Sequence, residues 1–266
     1  MKVKTCLRYP GGKFYGLKKI RPFLKVNHDE YREPFIGGGS VFLDKELVPN
    51  VNWINDIDEE LINFYQVIQN KENRLKLFSL LENEVATKER HKQVKSMIID
   101  DNIKAAFRFF YLNRTSFSGI MVKPRWGYAI GSSVPPEKWT KIIKPVAEKL
   151  QGVKITNLDF REVIQLESKH KNVLLYLDPP YFKASKSIYN HEFSLDDHLD
   201  LCDQLKATKF KFVLSYKNCE EIKKLYNWAY INELDWTYFM SEARRQEGKE
   251  LLISNFKYKL DDFFNK

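Results

Sequence analysis

The segment from residue 31 to residue 68 constrains the fold more than any other part of the chain. Residues 31–36 predict a short strand that runs into three glycines, and residues 40–47 predict the helix that follows. Residues 51–54 predict a second strand, which ends at Asn55 and Asp56. Asp58 then has the position of an N-cap for a helix that continues to Ile68. This order of strand, glycine turn, helix, strand and acid predicts a βαβ unit.

The alternation of strands and helices is interrupted and then returns. Residues 66–113 show only helical periodicity, and residues 114–136, with three glycines and three prolines, predict a long loop or hairpin. Beyond them we predict strands at 153–156, 172–177 and 210–215, helices near 195–206 and 219–227, and a closing β pair near 229–239 and 250–258. We therefore predict an α/β catalytic domain of residues 1–65 and 150–266, with a mainly helical insertion at 66–149.

Positive charge is concentrated in two blocks of the chain. The net charge is +9. Residues 1–25 carry eight Lys or Arg and no acid, and residues 66–149 carry sixteen basic and eight acidic side chains. One such block would be typical of a solvated basic surface. Two blocks beside an acidic remainder favour a polyanion as partner, because Lys and Arg that replace phosphate counterions supply most non-specific nucleic-acid affinity.

The sequence also narrows the cellular setting. No apolar run is long enough to cross a bilayer, and the start lacks the apolar core of a signal peptide. The three cysteines, Cys6, Cys202 and Cys219, form neither a CxxC pair nor a cluster with zinc spacing. We therefore expect a soluble cytoplasmic protein with reduced cysteines and no metal ion.

A glycine turn after the first predicted strand indicates a nucleotide-like ligand. Gly37, Gly38 and Gly39 would let the backbone approach such a ligand closely. Asp56 lies nineteen residues beyond Gly37, near the ~20 at which a strand-end acid meets ribose hydroxyls in dinucleotide folds. Together they favour an adenosine-containing cofactor. A glycine turn without ligand, and a solvated acid at position 56, remain the alternatives.

The run Asp178-Pro179-Pro180-Tyr181 follows a fully apolar strand and carries the strongest chemical signal. A carboxylate and the rigid carbonyls beside it can accept the two hydrogens of a planar amino group, while the aromatic ring stacks on its base. This arrangement predicts a grip on an aminopurine. A stiff loop with Tyr181 as packing is the structural alternative.

Two further segments carry basic and aromatic groups. The first is the basic glycine turn from Arg8 to Lys13, which lacks the spacing of a Walker A loop. The second runs from Tyr111 to Trp126, and its composition suits phosphate contacts and base stacking. From both we predict nucleic-acid contacts for Arg8, Asn113, Arg114, Ser116, Lys123, Arg125 and Trp126.

Taken together, these segments resemble the Dam-like (D12) class of DNA N6-adenine methyltransferases. The resemblance covers most of the chain in the family's order: Tyr9-Pro10-Gly11-Gly12-Lys13, Glu33-Pro34-Phe35-Ile36-Gly37-Gly38-Gly39-Ser40-Val41-Phe42, Asn55-Asp56, Asn113-Arg114-Thr115-Ser116-Phe117 and Asp178-Pro179-Pro180-Tyr181. It implies a Rossmann-like methyltransferase fold with a helical DNA-recognition insertion. It also implies S-adenosylmethionine (SAM) as cofactor, S-adenosylhomocysteine as product, and double-stranded DNA as substrate.

The resemblance also implies roles for individual residues. Residues matching Phe35, Gly37 and Gly39 wrap the methionine part of the cofactor, and the residue matching Asp56 holds its ribose. Asp159 and Phe160 are similar to the pair beside the cofactor adenine, and Lys13 is similar to a lysine that lines the same pocket. The full predicted cofactor set is Tyr9, Gly12, Lys13, Phe35, Gly37, Gly39, Ser40, Asp56, Asp159, Phe160 and Asp178.

The mechanism expected from this resemblance needs neither a metal nor a covalent enzyme intermediate. The target adenine would be flipped out of the duplex, because its amino nitrogen is unreachable in the stack. Asp178 and the Pro179 carbonyl would hold the amino hydrogens, and Tyr181 would stack on the base.

The segment from Met121 to Gly127 departs from the base-reading hairpin of adenine methylases that act on GATC, so the resemblance does not imply a GATC target.

Three other functions are compatible with parts of the sequence. The first is methylation of RNA or of another planar amine or amide. The second is a nicotinamide-dependent oxidoreductase, which would leave Asp178 to Tyr181 and the basic insertion unexplained. The third is a DNA-binding protein without catalysis, which cofactor binding would distinguish.

We expect a monomer, with a dimer on DNA as the alternative. The target sequence and any partner restriction enzyme stay open.

Overall fold

Seven strands form one mixed sheet in the computed structural model, which describes residues 2–182, 193–241 and 244–258 without the side chains of 236–248. The strands are β1 (Glu30–Glu33), β2 (Val51–Asn55), β3 (Lys154–Thr156), β4 (Val173–Leu177), β5 (Lys211–Lys217), β6 (Tyr230–Ser241) and β7 (Arg244–Ser254). Their order across the sheet is β3-β2-β1-β4-β5-β7-β6. All neighbours are parallel except β7, which is antiparallel to both β5 and β6. Every residue of β1 and β4 is buried, as expected for parallel strands covered on both faces.

Ten α-helices accompany the sheet within the described ranges. They are α1 (Leu17–Ile20), α2 (Ser40–Asp44), α3 (Glu59–Gln69), α4 (Lys71–Leu81), α5 (Lys88–Lys95), α6 (Asn102–Thr115), α7 (Trp139–Lys149), α8 (Phe160–Gln165), α9 (Leu195–Ala207) and α10 (Glu220–Leu225). Polar N-caps fix where several of them begin. The side chains of Asp58, Asn70, Thr87 and Asp101 each accept a hydrogen bond from the backbone N–H three residues later.

One hydrophobic cluster joins the sheet to the helices of the insertion. It contains Ile54 and Tyr176 from the sheet together with Leu77, Phe110 and Trp139 from α4, α6 and α7. Phe110 of α6 stacks on Phe64 of α3, with their rings parallel to within 10° and the ring centroids 5.4 Å apart. The insertion therefore buries its apolar side chains against the catalytic part of the chain. The division into two domains stays a prediction.

Most elements expected from the sequence are present, and the bounds of several differ: β1, for example, ends at Glu33 rather than 36. Helix α2 ends at Asp44 rather than 47, because Lys45 adopts an extended backbone. Of the predicted long loop or hairpin at 114–136 the structure has the loop, with one isolated antiparallel bridge between Ser116 and Trp126. Strand β7 starts at Arg244 and ends at Ser254, where we expected 250–258. The sequence did not predict the part of β7 before residue 250. That part pairs with β6 alone, so its residues lack the apolar pattern of the sheet interior.

No helix in the described residues has both the length and the apolar character that a membrane span requires. Those residues also contain no group of three or more His, Cys, Asp or Glu side chains arranged to hold a metal ion. All three cysteines are free thiols, and Cys6 and Cys202 are buried.

Candidate active site

The candidate site lies at the switch point of the sheet, between β1 and β4, where the strand order reverses. Strand β1 sits between β2 and β4, so the connections that leave its carboxyl end and that of β4 turn to opposite sides. Ligands of open α/β sheets bind in the crevice that this switch creates. The glycine turn follows β1, Asp56 follows β2, and Asp178 follows β4. The predicted cofactor and catalytic segments therefore meet at one edge of the sheet.

The glycine turn is shaped by close contacts that a side chain would block. Gly37 has a φ of 45°, and a Cβ there would lie 2.9 Å from Cε1 of Tyr9. Its N–H donates to Oδ2 of Asp56 at 2.9 Å, and its carbonyl accepts from the Tyr65 hydroxyl at 2.9 Å. Gly39 has a φ of 70° and leads directly into α2. The turn therefore requires glycine where Tyr9 packs against it, and it is tied to the strand-end acid.

The turn forms one wall of a cavity of about 250 Å³. All fourteen residues predicted for the cofactor or for catalysis line it: Tyr9, Gly12, Lys13, Phe35, Gly37, Gly39, Ser40, Asp56, Asp159, Phe160, Asp178, Pro179, Pro180 and Tyr181. The glycine turn, a strand-end acid and aromatic side chains around one cavity fit an adenosine-containing cofactor.

Lys13 holds the predicted catalytic residues together. Its Nζ lies 2.6 Å from Oδ1 of Asp178 and donates to the Tyr181 hydroxyl at 2.6 Å, while only 3% of its side chain is exposed. Burial raises the pKa of the Asp178 carboxyl, the nearby Lys13 lowers it and Glu250 raises it, with a resulting pKa of about 6. The carboxylate is therefore available as a hydrogen-bond acceptor at neutral pH.

Comparison with known proteins identifies the family to which this chain belongs. The family model for D12 class N6 adenine-specific DNA methyltransferases matches residues 9–240. The chain belongs to this family. It is therefore a SAM-dependent DNA adenine-N6 methyltransferase with a Rossmann-like fold.

Several curated proteins are similar along nearly their whole length. Type II methyltransferase M1.LlaDCHI of Lactococcus lactis subsp. cremoris is 29% identical over 278 residues, which cover 96% of this chain and 96% of that protein. The DNA adenine methylase of Vibrio cholerae serotype O1 is 27% identical over 274 residues, covering 94% and 95%. The solved structure of SMU.472, a putative methyltransferase complexed with SAH, overlaps with a TM-score of 0.26 at 10% identity, a likeness too low to support a conclusion.

Three aromatic rings form one end of the D12 methyltransferase cavity. The ring centroid of Phe193 lies 5.7 Å from that of Phe35 and 5.5 Å from that of Phe160. Asp159 caps the start of α8, and Arg161 bonds both to this carboxylate and to Asp197 at the start of α9. The Arg161 guanidinium therefore ties together the two helix ends that carry Phe160 and Phe193.

Glu33, the last residue of β1, is a buried acid in the same cavity. Its Oε2 accepts a hydrogen bond of 2.6 Å from the Tyr31 hydroxyl. Burial raises the pKa of its carboxyl well above the usual range. Burial therefore favours the neutral form of Glu33 more than it would for a solvated strand-end acid.

The residues predicted to contact DNA fall into two groups. Lys123 and Arg125 are exposed, and Trp126 and Arg8 are half-buried. Asn113, Arg114 and Ser116 are buried, so contact of their side chains with DNA stays a prediction. Their bonds show why they are inside. Asn113 exchanges two hydrogen bonds with the backbone of Arg8, Arg114 donates to the Cys6 carbonyl, and the Ser116 carbonyl accepts from the Arg8 guanidinium.

Sequence reasoning missed two contributors to the site. Phe193 lines the cavity, and Glu250 of β7 bonds to the Tyr181 hydroxyl. Glu250 had one signal in the sequence, since it is an acid at the start of the apolar run Leu251-Leu252-Ile253. Phe193 had none, because a single aromatic residue before a helix is more often packing than ligand contact.

Proposed function

We propose that this cavity binds SAM beside the end of β4, and that Asp178, Pro179 and Tyr181 hold a target adenine flipped out of duplex DNA. SAM supplies an activated methyl group. The protein binds and orients the cofactor and the adenine and excludes water from them. Positioning and electrostatic stabilisation should therefore supply most of the rate enhancement. One observation carries the proposal: the Asp178 carboxylate and the glycine turn line the same cavity.

The cofactor-binding part of the proposal rests on the shape of the cavity walls. The backbone from Gly37 to Gly39 and the ring of Phe35 would take the methionine part of SAM. Asp56 would take the ribose hydroxyls, since its carboxylate stands at the end of β2 beside the turn. Phe160 and Phe193 would enclose the adenine ring, because aromatic faces favour offset stacking with flat rings.

The catalytic part rests on the geometry around Asp178. Lys13 contacts Oδ1, so we assign the other carboxylate oxygen to one amino hydrogen of the target adenine. The Pro179 carbonyl, held by the two adjacent prolines, would accept the second hydrogen. With both hydrogens held, the nitrogen lone pair points out of the base plane toward the methyl donor. Tyr181, whose hydroxyl is held by Lys13 and Glu250, would stack on the base.

The DNA-binding part rests on the exposed residues of the 114–136 segment. We assign phosphate contacts to Arg8, Lys123 and Arg125, and stacking or groove contact to Trp126. Asn113 and Ser116 would act indirectly, by holding Arg8 in place. A monomer in the cytoplasm stays a prediction from the sequence.

The test begins with the target sequence. Sequencing of adenine methylation marks in a methylation-free host that expresses the chain identifies the site for an oligonucleotide assay. Asp178→Ala should then lower the single-turnover methylation rate by about 10²-fold or more, while SAM still binds in calorimetry. Asp203→Ala, an exposed acid on α9, is the matched control and should keep the full rate. A folded, SAM-binding Asp178→Ala enzyme with a normal rate would refute the proposal.

Base flipping has its own readout. An oligonucleotide with 2-aminopurine at the target position should change its fluorescence when the enzyme and SAM bind, because the analogue leaves the stack. An unchanged signal from a fully bound complex would contradict flipping.

A further inference from the structure

Glu250 is an acid inside the sheet whose carboxylate reaches the active site. It lies on β7 opposite Lys217 of β5 and is 9% exposed. Side chains alternate between the two faces of a strand, so Glu250 shares a face with Leu252, which packs in the same cluster as Tyr176. A buried carboxylate is costly unless it is paired and hydrogen-bonded. Its partners therefore explain why it is there.

Its hydrogen-bond partners lie in or beside the candidate site. Oε1 accepts from the Tyr181 hydroxyl at 2.7 Å, and Oε2 accepts from the Ser215 hydroxyl at 2.9 Å. Nζ of Lys13 is 3.8 Å from Oε2. Lys13 thus stands between two carboxylates, those of Asp178 and Glu250, while Ser215 on the neighbouring strand fixes the orientation of the second one.

The hydroxyl of Tyr181 has a defined direction in this network. It has one proton, and Lys13 has donors only, so Lys13 donates to the hydroxyl and the hydroxyl donates to Glu250. Two bonds at the hydroxyl therefore restrict sideways displacement of the ring. Removing Glu250 leaves the hydroxyl with one anchor, the Lys13 ammonium, which it shares with Asp178.

We propose that Glu250 is a positioning residue, which acts through the Tyr181 hydroxyl to fix the ring against which the target adenine stacks. The inference rests on the proposed function, because it requires Tyr181 to be the stacking ring. Glu250 itself touches neither the substrate nor the cofactor. Its effect should therefore appear in the rate of methyl transfer and in the stacking of the target base, rather than in SAM affinity.

A double-mutant cycle tests this coupling in the full-length enzyme. Glu250→Ala should lower the single-turnover rate by about 10- to 100-fold, as a displacement near 1 Å does in other sites. Tyr181→Phe keeps the ring but loses the hydroxyl, and should lower the rate through the same contact. The double variant should be no slower than Glu250→Ala alone, since both changes remove one interaction. Rate losses that multiply in the double variant would overturn the inference.

A spectroscopic signal and two controls make the result specific. Bound 2-aminopurine DNA should fluoresce more strongly with Glu250→Ala than with the native enzyme, because a loose ring quenches it less. The Kd of Glu250→Ala for SAM should stay within about threefold of the native value. A tenfold change would correspond to about 1.4 kcal/mol of binding free energy. Glu233→Ala on β6, an exposed acid paired with Lys223, should leave the rate and the fluorescence unchanged. Unchanged rate and fluorescence in Glu250→Ala would overturn the proposal.

The design separates failure of this inference from failure of the proposed function. If Glu250→Ala does not fold, Glu250→Gln is compared with Tyr181→Phe, since the amide oxygen can still accept from Tyr181 while the amide nitrogen replaces the oxygen that accepts from Ser215. Glu250→Gln should then retain more of the rate than Tyr181→Phe, and the opposite order would overturn the inference. An active Asp178→Ala enzyme refutes the proposed function itself. An inactive one, with multiplying losses in the cycle, refutes only the role of Glu250.

Discussion

Replacing Lys13 with methionine tests how the site keeps Asp178 ionised. Methionine retains an unbranched apolar chain of similar length, so the change removes mainly the ammonium group. In the native enzyme that group lies 2.6 Å from the Asp178 carboxylate, and 21% of the Asp178 side chain is exposed. The other titratable groups that face Asp178 are Glu33, Tyr176, Tyr181, Tyr216 and Glu250, and none of them supplies a positive charge.

The expected size of the effect follows from the loss of this buried pair. Removing one partner of a buried ion pair costs about 3 kcal/mol, and about 1.4 kcal/mol corresponds to one pH unit. The pKa of the Asp178 carboxyl, about 6 with burial as the largest cause, should therefore rise to about 8 in the variant. The ionised carboxylate is the acceptor form, so activity is present above this pKa and lost below it. At pH 7 the ionised fraction falls about tenfold, and at pH 9 it is nearly the same in both enzymes.

The assay is the single-turnover methylation rate at saturating SAM, measured from pH 5.5 to about pH 9. The native rate should fall as the pH drops through about 6, and the rate of Lys13→Met should fall below about 8. Lys18→Met, at an exposed position on α1, is the control and should follow the native profile. A Lys13→Met rate reduced by the same factor at pH 7 and at pH 9 would show that Lys13 acts in another way.

Three further predictions concern the cofactor, the DNA and the fold. Phe193→Ala should raise the Kd for SAM up to about tenfold by calorimetry, since an aromatic pair contributes about 0.5–1.5 kcal/mol, while the exposed Leu199→Ala should not change it. Arg125→Ala should weaken DNA binding and reduce the slope of log affinity against log salt by about 1; an unchanged slope would remove Arg125 from the interface. Arg32→Met should lower the free energy of unfolding in urea by about 3–5 kcal/mol, because it leaves the buried Glu30 without its partner, and Glu30→Gln in the same chain should recover part of the loss.

The parts of the site that depend on local sequence were predictable. Glycines with positive φ, an N-cap at Asp58 and an apolar strand before Asp178 each follow from a few neighbouring residues. They place the glycine turn, Asp56 and Asp178 at strand ends, and parallel strands bring such ends to one edge. The two basic blocks likewise indicated a nucleic-acid partner without any knowledge of the fold.

Burial and pairing across the chain depended on the tertiary structure. Asn113 and Arg114 have the composition of a DNA-binding segment, yet the packing of α6 against the N-terminal segment turns them inward, where they bond to the backbone of Arg8 and Cys6. The length of β7 was misjudged because its first half pairs only with β6 and needs no apolar residues.

The sequence by itself determined the βαβ unit, the glycine turn and the Asp178-Pro179-Pro180-Tyr181 run, because each is specified by contiguous residues with fixed backbone preferences. Only the tertiary structure decided that Lys13 and Glu250, 237 residues apart in the chain, both bond to the Tyr181 hydroxyl. The physical reason is strand register: Glu250 reaches the site because β7 pairs antiparallel with β5 at Lys217, and no local pattern encodes that alignment.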